Sequence, residues 1–362
     1  MLTHCLIYLL IDLIRRTSWQ GKVNSLKSIE LCYSGVRDSH LSRLVNLPSL
    51  LEINLDSCPV GDWSIAHLAD NNVVPNLTSL DLADTDLTDL GMTHLAKFTK
   101  LSRLSLFYCN ITNGGLRHLA QLTSLEVLNL DSREIGDDGL YHLRNLGKLR
   151  SLDIFSGRIT DSGCAHIAKI KSLESLELCG GGIGDLGCTL LATLDNLTSL
   201  NLSQNERISD RGAAALASLS NLKALNLSNT RVTSNALKYF SGLLKLKSLA
   251  LYGCSGIEDG GQIDTLQNGL PSLKCLRLNT SSDSDGTVLP HEGENEDDDD
   301  VVDGGNQNHD LDDSDSDDLF EIPNRANSIA ASQQDDSDME DVDVASAAHS
   351  HSSSSSYYSD HD

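Results

Sequence analysis

The sequence predicts an α/β solenoid, in which short parallel strands alternate with short helices, and three observations support this fold class. In each window of about 24 residues, two apolar residues such as Leu152 and Ile154 alternate with polar neighbours, which is typical of a short strand with one buried face. Each window then shows helical spacing of apolar residues. The windows recur in register, so stacked neighbours can bury apolar faces that one unit alone would expose. Five successive windows begin at Leu77, Leu101, Leu125, Leu149 and Leu173.

The repeating unit follows a single template, L-x-x-L-x-L-x-x-x-x-I-x-D-x-G-x-x-x-L-x-x-L-x-x. Residues 149–172, LRSLDIFSGRITDSGCAHIAKIKS, are one copy of it. The first half of the template is the leucine-rich repeat signature. We therefore expect a leucine-rich repeat solenoid, or horseshoe, with a parallel β-sheet on its concave side and short helices on its convex side.

The same frame covers residues 26–280 as ten repeats and a partial eleventh. The other units begin at Leu26, Leu50, Leu197, Leu222 and Leu246, with a fragment at Leu273. A polar column tests the register, because Asp, Asn or Ser occupies the same position in all ten units. These residue types favour helix N-caps, so the column predicts where each helix begins. It consists of Asp38, Asp62, Asp89, Asn113, Asp137, Asp161, Asp185, Asp210, Ser234 and Asp259.

The charge of the chain is concentrated after the repeats. Residues 281–362 contain 25 acidic residues and a single basic one, Arg325, whereas residues 1–280 are nearly neutral, with 27 acidic and 26 basic residues. High charge and few apolar residues predict a disordered acidic tail over residues 281–362. Ser282, Ser314 and Ser337 each have an acidic residue three positions later, which makes them possible phosphosites of an acid-directed kinase.

Residues 1–25 precede the repeats and have apolar residues at helical spacing. We expect an amphipathic N-terminal helix that covers the open end of the first repeat, as solenoids require. Two alternatives remain, a membrane-associated or targeting segment, and an artefact of where this chain begins. Ten apolar residues are too few to span a bilayer, and Arg15 and Arg16 follow the apolar run instead of preceding it.

The concave face carries the predicted partner-binding residues, because strand residues flanking the template leucines project from it. Phe107 and Phe155 are two of only five phenylalanines in the chain, and repeat folding does not require them there. Acidic neighbours would select a basic partner. The alternative is that adjacent strand positions cover one another and bind nothing. The predicted contact residues are Asp81, Asp84, Phe107, Tyr108, Asp131, Asp153, Phe155, Glu177 and Tyr252.

No motif in the sequence indicates catalysis, a cofactor or a metal site. The nine cysteines form no C-x-x-C pair, and several recur at repeat positions as structural thiols, which fits a reducing compartment. A histidine column along the convex helices recurs every 24 residues, as at His118 and His142, and helix spacing is too wide for these side chains to share one ion. A neutral repeat domain with an acidic tail disfavours nucleic acid. We expect a non-enzymatic protein.

Longer phrases in the repeats resemble a known family. LESLELCGGGIGDLG and LTSLNLSQNERISDRG are similar to the plant-type intracellular leucine-rich repeat family, which groups with ribonuclease-inhibitor-like and F-box-associated repeat proteins. The resemblance covers about residues 26–280 and implies a cytoplasmic or nuclear horseshoe that binds proteins. Relatives act as substrate receptors of SCF ubiquitin ligases, which implies a role in ubiquitin-dependent protein catabolism. No F-box is recognisable before Leu26, and the acidic tail departs from the family pattern.

Two classes of function follow, with a third more general one. In the first, the concave face captures a target protein for an SCF-type assembly. In the second, the acidic tail holds histones or other basic proteins by salt-sensitive attraction. The third is a general signalling or defence scaffold. All three imply a protein partner, and none involves a membrane.

Overall fold

A computed structural model describes residues 25–130, 134–155, 158–258 and 260–278. All of them belong to one compact unit. The predicted N-terminal cap helix, apart from residue 25, and the predicted acidic tail lie outside the described residues. So do Asp131 and the three possible phosphosites.

One parallel sheet runs through the described residues, with its strands in chain order. Neighbouring strands pair with template leucines in register, as Leu128 does with Leu152 and Leu104. The strands are β1 Ser28–Glu30, β2 Glu52–Asn54, β3 Ser79–Asp81, β4 Arg103–Ser105, β5 Val127–Asn129, β6 Ser151–Phe155, β7 Ser175–Cys179, β8 Ser199–Asn201, β9 Ala224–Asn226, β10 Ser248–Ala250 and β11 Cys275–Arg277. The partial eleventh repeat therefore contributes strand β11 to the sheet.

Short helices connect successive strands on the other side of the core. The α-helices are α1 Asp38–Leu41, α2 Asp62–Asp70, α3 Asp89–Leu95, α4 Asn113–Leu116, α5 Asp137–Leu140, α6 Asp161–Ile167, α7 Asp185–Leu191, α8 Asp210–Leu216, α9 Leu237–Phe240 and α10 Gly261–Gly269. Single 3₁₀ turns occur at Arg117–Gln121, Tyr141–Leu143 and Ser234–Ala236. None of the described helices is long and apolar enough to cross a membrane.

The core between sheet and helices is almost entirely aliphatic. In the central repeats the first template leucine and both strand positions are fully buried, as Leu149, Leu152 and Ile154 are. Burial of each such side chain stabilises the fold by roughly 2 kcal/mol. Among the described residues, Phe240 is the only aromatic side chain that is completely buried.

A hydrogen-bond ladder runs along the solenoid where the helices begin, and it corrects one sequence prediction. From Asp38 to Ser234, the polar column predicted to supply the N-caps instead forms the first helical residue, and the residue before it is the N-cap, as Thr160 is before Asp161. Asp259, the last member of the column, lies outside the described residues. The column side chain turns toward the next repeat and accepts a backbone N–H there at 2.7–2.9 Å, from the N-cap residue in eight steps and from Glu258 in the last. The nine donor–acceptor steps are 61–38, 88–62, 112–89, 136–113, 160–137, 184–161, 209–185, 233–210 and 258–234.

The ladder explains the glycine two residues after the aspartate in the template. A Cβ atom on Gly163 would lie 2.5 Å from Asp137 Oδ1 and 3.0 Å from a Leu140 methyl group. Without a Cβ, this position lets the carboxylate of the previous repeat approach closely. In two repeats the glycine N–H also donates to that carboxylate, as Gly212 does to Asp185 at 2.9 Å.

A second set of hydrogen bonds lies just beyond the strands, where side chains donate to the carbonyl oxygen of the second strand leucine. Thr85 Oγ1 and Cys109 Sγ both donate to the carbonyl oxygen of Leu82, at 2.7 and 3.0 Å. The same position holds Arg133, Gly157 and Gly181 in three successive units, two of them outside the described residues. In two of these units, β6 and β7 run two residues longer than the other strands.

Candidate functional site

Phe107 and Phe155 lie on the concave face and outside the core. Leu106 and Ile154, which precede them, are fully buried, so the alternation of the chain turns the phenylalanines to the opposite side. Both rings are half-buried. Phe155 ends the lengthened β6 and pairs in register with Cys179 of β7. The two phenylalanines occupy the same repeat position two strands apart, which corresponds to about 10 Å.

Tyr108 packs against Phe107 and extends the aromatic surface toward solvent. The two ring centroids are 4.5 Å apart with planes at 70°, an edge-to-face arrangement that aromatic pairs favour. Half of the Tyr108 side chain remains exposed. We call Phe107, Tyr108 and Phe155 the aromatic patch.

The backbone of Tyr108 is left-handed, with φ of +57°. The residue two positions after the second strand leucine has a positive φ in every repeat where it is described. Some repeats place Gly180, Gly253 or Asn229 there, which are residue types that adopt this conformation readily. Tyr108 carries a large side chain at this position without gaining burial in the core.

The predicted acidic contact residues differ in exposure and in the hydrogen bonds that they form within the protein. Asp81 Oδ1 accepts the backbone N–H of Ala83 at 3.0 Å, so it partly supports its own strand end. Glu177 accepts a bond from Asn201 Nδ2 at 3.3 Å. Asp84 is exposed and accepts one from Ser57 Oγ at 3.3 Å. Asp153 is half-buried on β6.

Two predicted contact residues are separate from this group. Asp131, which the sequence places between the two phenylalanines, lies outside the described residues. Tyr252 is more than half exposed, but it follows β10, four strands beyond β6. The structure therefore groups the aromatic patch with Asp153 and Glu177 near the middle of the sheet and leaves Tyr252 near its C-terminal end.

A concave ion pair was missed by the sequence reasoning. Arg103 on β4 reaches across β3 and donates to Glu52 Oε1 on β2 at 2.7 Å, and its Nε contacts Ser79 Oγ at 3.3 Å. The signal was available, since all three residues occupy the first strand position of successive repeats. The pair neutralises a basic side chain at the start of β4, the strand that precedes Phe107.

The histidines on the convex side form hydrogen bonds with residues of the preceding repeat. His67 Nε2 contacts the carbonyl oxygen of Leu44 at 3.0 Å, and His94 Nδ1 lies 3.0 Å from Asp70, which also pairs with Lys97. Burial and the neighbouring Arg117 lower the pKa of His118. Within the described ranges, no group of three or more His, Cys, Asp or Glu side chains has the arrangement of a metal site.

The buried cysteines are held as thiols. Burial raises the pKa of Cys109 to about 11 and that of Cys188 to about 12. All the cysteines among the described residues are free.

Family comparisons agree with the repeat geometry. A "Leucine rich repeat" model matches residues 171–232, and a second "Leucine Rich repeat" model matches residues 75–96, 99–120 and 148–168. The matched segments coincide with strand–helix units of the parallel sheet. The fold is a leucine-rich repeat solenoid. The models support membership of a leucine-rich repeat family, and no curated protein matches the chain.

Several solved structures are similar to this chain at low sequence identity. An internalin (inlF) from Listeria monocytogenes is 23% identical with a TM-score of 0.46, covering 75% of this chain and 88% of the internalin chain. A TDR receptor is 19% identical with a TM-score of 0.48, covering 73% and 46%. The plant peptide hormone receptor RGFR1 in complex with RGF2 is 17% identical with a TM-score of 0.45, covering 70% and 48%.

A leucine-rich repeat solenoid is a scaffold for protein–protein interaction, because stacking produces one extended sheet face. In this chain the aromatic patch at the middle of that face marks the candidate interface.

Proposed function

We propose that this leucine-rich repeat protein is a non-enzymatic scaffold that captures a protein partner on its concave face, at the aromatic patch. As a substrate-recognition subunit of an SCF-type ubiquitin ligase, it would direct that partner to ubiquitin-dependent catabolism in the cytoplasm or nucleus. We assign no catalytic residue and no cofactor to it.

The observation that carries the binding proposal is the conformation and exposure of Tyr108. A non-glycine residue on left-handed backbone costs roughly 1–2 kcal/mol. Here the side chain offsets little of that cost by burial, since half of it faces solvent. Left-handed backbone occurs at this position in every described repeat, but the fold does not require a tyrosine there, and non-glycine residues held in such conformations are concentrated at functional sites. Exposed tyrosine is also enriched among the residues that dominate binding energy at interfaces.

The charges around the patch support a basic partner. Asp153 and Glu177 lie on β6 and β7, the strands at the Phe155 end of the patch, and Arg103 is neutralised by Glu52. A cationic side chain between aromatic rings and carboxylates would gain both charge pairing and a cation–π contact.

Comparative affinity capture tests the proposed site. The full chain and its Tyr108→Asn and Phe155→Ala variants are used as baits, with Tyr33→Asn as the matched control. Tyr33 has the same repeat position and a similar φ of +53°, is exposed, and lies in the first repeat. We expect a partner that the unaltered chain and Tyr33→Asn retain and that the two patch variants lose.

Two results would redirect the assignment. A partner lost only when residues 281–362 are removed, and lost at high salt, would favour the acidic tail as the binding element. The ligase role is tested separately with the purified adaptor subunit of an SCF ligase. No complex with the full chain would remove that role while leaving concave-face binding intact.

A further inference from the structure

Three lysines align at the C-terminal end of the sheet, on the edge where the strands begin. Lys223, Lys247 and Lys274 each precede the first residue of β9, β10 and β11. Their backbones are hydrogen-bonded in register, with Lys247 N–H donating to Lys223 O at 2.7 Å and Lys274 N–H donating to Lys247 O at 2.8 Å. We call them the lysine row.

The lysine row has no charge partner among the described residues. Earlier in the same column, Arg150 forms an ion pair with Glu174 of the next repeat. Arg158 and Glu134 likewise join neighbouring repeats, and Arg103 and Glu52 join repeats two apart. None of these pairs includes Lys223, Lys247 or Lys274. Lys223 and Lys274 are exposed, and Lys247 is half-buried.

The arrangement is unfavourable for folding by itself. Adjacent strands lie about 4.8 Å apart, and like charges directly opposite on neighbouring strands destabilise a sheet. The repeat template does not demand lysine at this position, because Thr78, Ser102 and Thr198 occupy it in other units. Three uncompensated lysines in succession are therefore a feature that stacking does not explain.

Polar groups surround the start of the row. A groove of about 230 Å³ opens beside Lys223, where Lys245 Nζ donates to Asn221 Oδ1 at 2.8 Å. The carboxylate in its lining, Glu174, is already paired with Arg150. The groove is lined by Glu174, Asn196, Thr198, Asn221, Lys223 and Lys245.

We propose that the lysine row and this groove bind an acidic peptide segment. Three ammonium groups spaced along about 10 Å match the carboxylates of a short extended peptide. A long polyanion such as nucleic acid is disfavoured, since residues 1–280 carry no net positive charge to attract it. This site is independent of the aromatic patch, which lies at the middle of the sheet and has the opposite charge preference.

A titration with fluorescein-labelled deca-aspartate tests the proposal on the full chain at low salt. The row variant carries Lys223→Gln, Lys247→Gln and Lys274→Gln. The matched control carries Lys100→Gln, Lys148→Gln and Lys169→Gln, which removes the same charge from exposed lysines in other repeats. We expect the row variant to bind the peptide about tenfold more weakly, as loss of three exposed charge pairs implies, and the control to bind like the unaltered chain.

Both titrations are repeated in a chain whose acidic residues within 297–318 are changed to Asn or Gln, so that the peptide meets fewer competing acids. A row-dependent difference in either background supports the proposal. Equal affinity of the row variant and the unaltered chain in both backgrounds would overturn it, as would an equal loss in the control or no binding at all.

Discussion

Two regions of the molecule are built from the same repeats: the edge where the helices begin and the concave face of the sheet. The interactions at the helix edge recur from repeat to repeat, whereas the residue types on the concave face change. At the helix edge, one hydrogen bond recurs in nine successive steps with donor–acceptor distances between 2.7 and 2.9 Å. On the concave face, one repeat position holds Ala83, Phe107, Phe155 and Ser203 in different units.

This difference separates the residues that make the fold from those available for recognition. A side chain that every repeat needs for stacking cannot vary without loss of stability, whereas a concave position tolerates any residue that leaves the strand intact. The comparison predicts that substitutions at the helix edge lower stability strongly and leave binding specificity unchanged. Substitutions at the aromatic patch are expected to change binding and to have little effect on stability.

The largest stability effect is expected for Asp185→Ala. Asp185 accepts the N–H and the hydroxyl of Ser209 at 2.8 and 2.7 Å and the N–H of Gly212 at 2.9 Å. Removing it leaves three donors without their acceptor, at a cost of roughly 3 kcal/mol in the free energy of unfolding. Urea denaturation measures this. Asp138→Ala, an exposed residue in the first turn of α5, is the control, and equal losses in both variants would contradict the ladder's role.

Gly163→Ala is expected to destabilise the solenoid by about 2 kcal/mol, because the added methyl group overlaps Asp137 and Leu140. Gly147→Ala is the matched control, since a Cβ there would meet no atom within 4 Å. Thermal unfolding of the two variants compares them. A Gly163→Ala protein as stable as Gly147→Ala would show that the glycine of the template serves another purpose.

A smaller effect on stability is expected when pH is lowered, through the carboxyl group of Asp185. Burial alone would raise the pKa of Asp185, but the bonds from Ser209 and Gly212 outweigh it and lower the pKa. The folded-state pKa is then below the unfolded value of about 3.9, so the stabilisation is complete above that pH and is lost as pH falls through the folded pKa.

The pH effect is measured as the difference in Tm between the unaltered chain and Asp185→Asn. Asn113 occupies the same ladder position in another repeat and accepts the N–H of Gly136 at 2.8 Å, so the substitution is compatible with the fold. We expect a constant difference at neutral pH that shrinks below about pH 4. A difference that grows on acidification would contradict the assigned direction.

The smallest stability effect is expected at the aromatic patch. Tyr108→Asn relieves the left-handed backbone and gives up the edge contact with Phe107, so the free energy of unfolding stays the same or rises by up to about 1 kcal/mol. Urea denaturation beside Tyr33→Asn measures it. A loss of stability well beyond that of the control would assign Tyr108 a structural role and weaken the case for binding.

Much of the fold could be predicted from the sequence, because periodic leucines determine both strand register and the buried face. The strand of the partial repeat at Leu273 and the helix-edge column were both located this way. The column was assigned to the N-cap, one residue too late, because cap preference considers one helix alone, whereas Asp161 bonds the next repeat.

The sequence predicted where the candidate site residues lie, but not their backbone conformation or the hydrogen bonds that they already make. Alternation placed Phe107 and Phe155 on the sheet face, but no local pattern indicates that Tyr108 has a positive φ or that Asp81 already bonds Ala83. The Arg103–Glu52 pair spans two repeats, so only the stacked sheet brings these residues together.

The most direct test of the central claim is the dissociation constant of the captured partner, measured by calorimetry against the unaltered chain and a Phe107→Ala, Tyr108→Asn double variant. Loss of two central aromatic anchors is expected to weaken binding by about 2–4 kcal/mol, at least about thirtyfold, with Tm essentially unchanged. Equal affinity of the two proteins for that partner would show that the concave aromatic patch is not where this solenoid binds.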